Sequence, residues 1–232
     1  MNVTLKIRRV DSEKGLPERW ETYTVDVAPT DRVLDALNEV KWTQEGPLAY
    51  RRSCAHGSCG SDAMRINGRD RLACKVLVQD VAPVITLEPM KGFRVIKDLI
   101  VDMEPFLAKF RSLKPFLIND EPVTEGERLQ SPAARARFDD TTKCILCGAC
   151  TTSCPSFWAD PAYVGPAAIV NAHRFIFDDR DRAAAERLEL LDGRDGVWKC
   201  RTVFNCVEAC PRDIDITGAI ADVKRALLFR KD

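Results

Sequence analysis

Along the first ninety residues, apolar and polar positions alternate in short runs. Val3, Leu5 and Ile7 alternate with Thr4, Lys6 and Arg8, and Tyr23 to Val27 alternates again, so paired strands are predicted. The period then lengthens. Val33, Leu34, Leu37 and Val40 recur at helical spacing, with Thr30 placed to cap the helix and Asp31 in its first turn, where the helix dipole favours an anion. A loop rich in Cys, Gly and Ser follows. Beyond it come strands over Ala63 to Ile66 and Leu72 to Val78, an Asn67-Gly68 turn between them, and a closing strand near Val84 to Leu87. These elements describe a small mixed-sheet domain.

After Phe93 the strand signals stop. Helices are predicted over Leu99 to Phe110, Ser131 to Phe138, Pro166 to Phe177, Arg182 to Leu191 and Thr217 to Phe229. Pro166 suits a first helical turn and Thr217 suits a cap. Lys114 to Gln130, with two prolines and a glycine, reads as an irregular connection. The charged stretch Asp178 to Asp195, with Arg182 and Glu186 four residues apart, reads as a solvated helix face. The C-terminal VKRALLFRKD ends a helix with cations, as the dipole prefers.

Composition narrows the partners. The chain has 232 residues, 45% of them hydrophobic, enough for two modest domains. Lys plus Arg and Asp plus Glu both number 35, so no global field draws in nucleic acid. MNVTLKIRRV lacks a signal-peptide core, and no run approaches the roughly 18 apolar residues of a spanning helix, so the chain is expected to be unexported and not itself membrane-spanning. In a reducing compartment its ten cysteines read as metal ligands rather than disulphides.

The cysteines fall in three groups. Cys54-x4-Cys59-x2-Asp62, followed by Cys74, matches the plant-type 2Fe-2S spacing with aspartate at the third ligand position. A carboxylate oxygen can hold ferric iron, though it is harder than thiolate and protonatable; the alternative is an aspartate that hydrogen-bonds its own turn. A Rieske site needs two histidines and only His56 is near. His56 reads as an exposed loop residue, and His173 as a helix-surface or core residue.

Cys144-x2-Cys147-x2-Cys150-x3-Cys154-Pro155 is the bacterial ferredoxin run, whose fourth cysteine serves the other cluster of a pair. The second run is Cys200-x5-Cys206-x3-Cys210-Pro211, with Val203 where a cysteine is due. Sharing ligands gives Cys144, Cys147, Cys150 and Cys210 to a 4Fe-4S cluster, and leaves Cys154, Cys200 and Cys206 for a 3Fe-4S cluster. Structural zinc competes for Cys-x2-Cys pairs, but four cysteines in so short a run with a Cys-Pro ending favour iron-sulphur ligation.

These residues resemble the iron-sulphur subunit of succinate dehydrogenase and fumarate reductase. The resemblance rests on RRSCAHGSCGSDAMRINGRDRLAC (Arg51 to Cys74), KCILCGACTTSCPSFW (Lys143 to Trp158) and CRTVFNCVEACP (Cys200 to Pro211). It implies an α+β chain, with an N-terminal β-grasp 2Fe-2S ferredoxin-like domain over 1–97 and a C-terminal all-helical ferredoxin domain over 98–232. It also implies a flavoprotein partner carrying FAD, a membrane-anchor partner and a quinone, at the cytoplasmic face of the cell membrane. With no G-x-G-x-x-G loop or triad in this chain, succinate chemistry falls to the flavoprotein. Pro155, Ser156 and Trp158 match the family's quinone vicinity. Ala159 and Arg201 replace the second tryptophan and the histidine of familiar members; the missing tryptophan leans toward menaquinone, and Asp62 leans toward succinate oxidation. Trp158 alternatively reads as a core aromatic, and Arg201 as a salt-bridge or potential-tuning residue. Quinol:fumarate reductase and a free-standing soluble ferredoxin are the alternative functions.

Overall fold

In a computed structural model that describes residues 1–12, 14–123 and 125–229, the first alternating run becomes strand β1 (Asn2–Asp11) and the second β2 (Leu16–Asp26). Helix α1 (Val33–Thr43) follows, then β3 (Ala63–Ile66), β4 (Arg69–Leu72), β5 (Val84–Glu88), β6 (Val95–Lys97) and β7 (Ile100–Val101). The strands form one sheet ordered β4-β3-β5-β1-β6-β7, with β2 also on β1. It is mixed: β1 runs antiparallel to β2 and parallel to β5. Val3, Leu5 and Ile7 are fully buried in one core with Val33, Leu34, Leu37 and Val40 of α1. Burying side chains of this size contributes about 1.5–3 kcal/mol each.

The chain divides into two compact units. The first joins Met1–Met103 with two returning segments, Ile145–Ser153 and Ala209–Pro211. The second is built from Glu104–Cys144, Cys154–Glu208 and the residues from Arg212 onward. Helices α2 (Glu104–Ser112) and α3 (Pro132–Ala136) open the second unit, and α4 (Ala149–Thr152) lies in a returning segment of the first. Then come α5 (Pro155–Ala159), α6 (Pro166–Ile176), α7 (Ala184–Asp192), α8 (Asn205–Glu208) and α9 (Ile216–Leu228). Helix α6, buried along most of its length, packs against α2, α7 and α9. Pro166 occupies its first turn, as expected, and Ser131 caps α3 by accepting from the Ala134 N–H.

Several local expectations are corrected. Arg32, not Thr30, is the N-cap of α1, and Asp35 accepts its N–H at 2.9 Å. The Asp31 carboxylate is taken instead by the Ala28 N–H. The strand expected over Leu72 to Val78 stops at Leu72, because Cys74 N–H turns aside to the Asp62 carboxylate and Val78–Asp80 form a 3-10 turn. Two short strands, β6 and β7, appear beyond Phe93. Asp215 rather than Thr217 caps α9, accepting from the Gly218 N–H at 2.9 Å. Of VKRALLFRKD, Arg225 lies in the last turn of α9, and residues 230–232 fall outside the described residues.

The largest correction concerns Asp178 to Asp195. Asp178, Asp181 and Arg187 are buried, and Arg182 and Glu186 do not pair along the helix but reach Glu121 and Lys114. Arg187 donates to Asp181 at 2.6 Å and to the carbonyls of Leu113, Lys114 and Phe116. Asp181 accepts the N–H groups of Ile118 and Ala183. The irregular connection after α2 therefore wraps a buried ion pair, which satisfies backbone groups that no helix or strand serves.

Candidate metal centres

The segment leading into the first cysteine loop is pinned by another buried charge. Arg9, at the end of the inward face of β1, donates to Asp98 at 2.9 Å, and Asp98 accepts the Ala49 N–H at 2.9 Å. Arg51 continues the anchoring by donating to the Val101 carbonyl at 2.7 Å. The loop then turns through left-handed backbone at Ala55, Gly57 and Gly60. This geometry aims three N–H groups at one sulphur: His56, Ser58 and Cys59 donate to Cys54 Sγ at 3.5, 3.4 and 3.3 Å. Those bonds, led by that of His56, favour the thiolate and draw the Cys54 pKa down to about 7.

Asp62 is buried, and its carboxylate does not serve its own turn. Oδ2 accepts the Cys74 N–H at 2.6 Å, while Oδ1 is buried with no hydrogen-bond partner. An orphaned buried carboxylate oxygen calls for a cation or a donor. Burial first, and then the adjoining Asp62, push the Cys74 thiol up to about 12. Cys54, Cys59, Asp62 and Cys74 thus lie in one unit, and a cavity of about 290 Å³ opens against Cys59, Asp62 and Cys147. A buried carboxylate oxygen left without a partner, in the same unit as the thiols of Cys54, Cys59 and Cys74, fits a ferric cluster. His56 is exposed, as expected, and its Nδ1–H donates to the Cys54 carbonyl at 2.7 Å.

The two later cysteine runs share one backbone plan. A 3-10 turn ends at Cys144 (φ −62°, ψ 127°), and another ends at Cys200 (φ −66°, ψ 124°). Left-handed residues follow at Leu146 and Gly148 in the first run and at Thr202 and Phe204 in the second. Each run then enters a single helical turn, α4 or α8, carrying Cys150 or Cys206. Val203 therefore occupies the backbone position of Cys147. Among the described residues, which include all ten cysteines, no disulphide forms.

Within the first unit Cys147 and Cys150 are buried and Cys210 is partly so; Cys144 closes a segment of the second unit. Asn171 of α6 donates to Cys144 Sγ at 3.4 Å. Cys154, Cys200 and Cys206 all lie in the second unit. Burial, followed by the charges of Cys154 and Cys200, pushes the Cys206 thiol up to about 12. Lys224 donates to the Cys200 carbonyl at 3.0 Å, bringing a cation beside them. Sequence reasoning missed Asn171 and Lys224. A lone amide inside the apolar run PAAIVNAH was the available signal for Asn171.

Comparison with known proteins now decides the family. Residues 4–108 match a 2Fe-2S iron-sulfur cluster binding domain, and residues 136–211 match a 4Fe-4S dicluster domain. The chain is 38% identical to the succinate dehydrogenase iron-sulfur subunit of Coxiella burnetii, covering 97% of each chain. It is 39% identical to the fumarate reductase iron-sulfur subunit of Mycobacterium tuberculosis, covering 96% of this chain and 91% of that one. The chain belongs to the family of succinate dehydrogenase and fumarate reductase iron-sulphur subunits. Its structure is similar to a chain of the Mycobacterium smegmatis Sdh1 complex in the apo form, with a TM-score of 0.91 and 27% identity over 99% of this chain and 97% of that one. The family assignment agrees with a ferredoxin-like N-terminal region on a mixed sheet and a helical C-terminal region.

Around the third group, Pro155 and Ser156 are partly buried, and Arg201, Trp158, Val203 and Phe204 are exposed. The core aromatic of this segment is Phe157, 5% exposed, rather than Trp158 at 37%.

Proposed function

We propose that this chain is the electron-transfer subunit of a succinate:quinone oxidoreductase, and that it holds three clusters in sequence. Cys54, Cys59, Asp62 and Cys74 hold a 2Fe-2S cluster. Cys144, Cys147, Cys150 and Cys210 hold a 4Fe-4S cluster, and Cys154, Cys200 and Cys206 hold a 3Fe-4S cluster. Such clusters supply reversible one-electron carriers. The observation that carries the reading is the repeated backbone of the two later runs, with Val203 standing where an eighth thiolate is due.

The chain's own residues prepare each site. Three N–H donors stabilise anionic sulphur at Cys54, Asn171 donates to Cys144, and Lys224 places positive charge beside Cys200. The fold reading is a β-grasp ferredoxin domain over 1–97 and a ferredoxin domain over 98–232 that is helical apart from the short strand β7 at its start. The partners are a flavoprotein with FAD, which oxidises succinate, and a membrane anchor with a quinone, menaquinone by the replacement at Ala159. The exposed Trp158, Val203 and Phe204 beside the third site, with Pro155, Ser156 and Arg201, suit the quinone and anchor side. Among the described residues no helix is long and apolar enough to cross a membrane, which suits a peripheral subunit at the cytoplasmic face.

Iron analysis of the purified complex tests the reading: about 9 iron atoms per chain are expected. Zinc in place of iron, or an oxidised spectrum without a 3Fe-4S signal, refutes it. The relative named as a fumarate reductase subunit favours a second reading, the same machine run backwards as a quinol:fumarate reductase. Cluster potentials and the quinone recovered with the complex separate the two. A chain that purifies alone and soluble would instead be a free-standing ferredoxin.

A further inference from the structure

The first donor set touches the second at two points inside the first unit. Gly60 lies between Cys59 and Asp62, is buried, and holds φ +69°. A methyl group there would stand 2.8 Å from Cys147 Cβ, 3.1 Å from Cys147 Cα and 3.1 Å from the Ile145 carbonyl oxygen. Two of those three atoms are backbone, so the neighbour cannot rotate aside as a long side chain does. The second contact begins at Lys75, next to Cys74. Its ammonium donates to the carbonyl of Pro211 at 2.8 Å, and Pro211 follows Cys210. The Lys75 stem crosses Gly57, where a methyl group would meet Cδ at 2.9 Å. Each half of the first loop thus bears on a different ligand segment of the second site.

We propose that Gly60 and Lys75 are positioning residues that set the interval between the first and second centres, with the Gly60–Cys147 contact as the closest approach for the transferring electron. The proposal rests on the cluster assignment above. The step moves one electron: the 2Fe-2S centre is oxidised by one electron and the 4Fe-4S centre is reduced by one. No bond forms or breaks and no proton moves. Only glycine permits this approach, because a side chain at position 60 meets both a left-handed backbone and a ligand-bearing one.

The test uses the purified complex in the original form and as Gly60→Ala, Lys75→Met, Lys75→Arg and Gly15→Ala. Gly15 has a φ of +60° with open space around it, so its variant carries the backbone strain without the contact. Electron paramagnetic resonance of the fully reduced complex reads the spin–spin interaction between the two centres, and photoreduction kinetics read the transfer between them. Loss of the interaction and slower transfer are expected in Gly60→Ala. A partial loss is expected in Lys75→Met, with restoration in Lys75→Arg and no change in Gly15→Ala. Unchanged coupling in Gly60→Ala or in Lys75→Met, with both signals present, overturns the proposal. If Gly60→Ala yields no complex, the paired Lys75 variants decide alone. Absence of either cluster signal in the original complex overturns the cluster assignment itself, a different result from intact clusters with unaltered coupling.

Discussion

Replacing Val203 with cysteine should convert the three-iron centre into a four-iron one. The structure supplies the reason. Val203 lies between Thr202 at φ 55° and Phe204 at φ 62°, just as Cys147 lies between Leu146 at φ 54° and Gly148 at φ 84°. Phe204 holds the left-handed shape that a glycine holds in the other run, at a strain of about 1–3 kcal/mol. The loop shape therefore persists although the fourth thiolate is gone. A thiol at 203 needs no backbone rearrangement to stand where Cys147 stands in its own run. Val203 is 46% exposed, so the substitution should change stability by no more than about 0.5 kcal/mol. Iron should rise from about 9 to about 10 atoms per chain, and the oxidised 3Fe-4S resonance should vanish while a second 4Fe-4S signal appears on reduction. The added thiolate also brings negative charge, so the centre's potential should fall. Iron analysis with low-temperature electron paramagnetic resonance reads both effects. A variant that folds and keeps an unaltered 3Fe-4S signal would show that the two runs are not equivalent at this position, and the alignment would fail.

Other substitutions reach other parts of the argument. Asp62→Cys should keep the 2Fe-2S spectrum, with a shifted line shape, whereas Asp62→Ala should lose most of it; equal retention in visible absorption would reduce Asp62 to a turn residue. Arg187→Met should destabilise the second unit by about 3–5 kcal/mol, since it strands the buried Asp181 carboxylate. Denaturant titration followed by near-ultraviolet circular dichroism should then show that adding Asp181→Leu loses less than the sum of the single changes, and strict additivity would refute the pairing. His173 is 3% exposed, and burial lowers its pKa despite Asp222. The unfolded chain therefore binds the proton more readily, so stability is full above the unfolded value of about 6.5 and falls as pH drops below it. His173→Phe should flatten that part of the stability profile in thermal melts taken between neutral and mildly acidic pH.

The sequence carried those features whose signal is local. Strict alternation announced β1, and a left-handed Asn67-Gly68 pair between β3 and β4 announced the hairpin turn. The cysteine spacing supplied candidate donor groups through the short runs at 54–62, 144–154 and 200–210. The Asp178 to Asp195 stretch was misread for the opposite reason. Nothing near Arg187 shows that the carbonyls of Leu113, Lys114 and Phe116, some seventy residues earlier, will need its donors. Asp31 failed as a helix-start signal because two acidic residues, Asp31 and Asp35, compete for neighbouring N–H groups and only the fold assigns them. Gly60 was legible as a loop glycine but not as a contact with Cys147, which is distant in sequence.

Sharing the Cys-Pro endings between the two later runs also has a consequence for how the chain is made. A nascent chain has all four donors of the first site once Cys74 has been added. With the ligands proposed above, the three-iron site would wait for Cys206, and the 4Fe-4S site, begun at Cys144, would wait for Cys210. Chains stopped early in the last quarter should therefore carry a complete first centre and two unfinished ones, their exposed thiols open to air. Under the proposed assignment, the order in which the ligands leave the ribosome would complete the donor set of the first centre well before those of the other two.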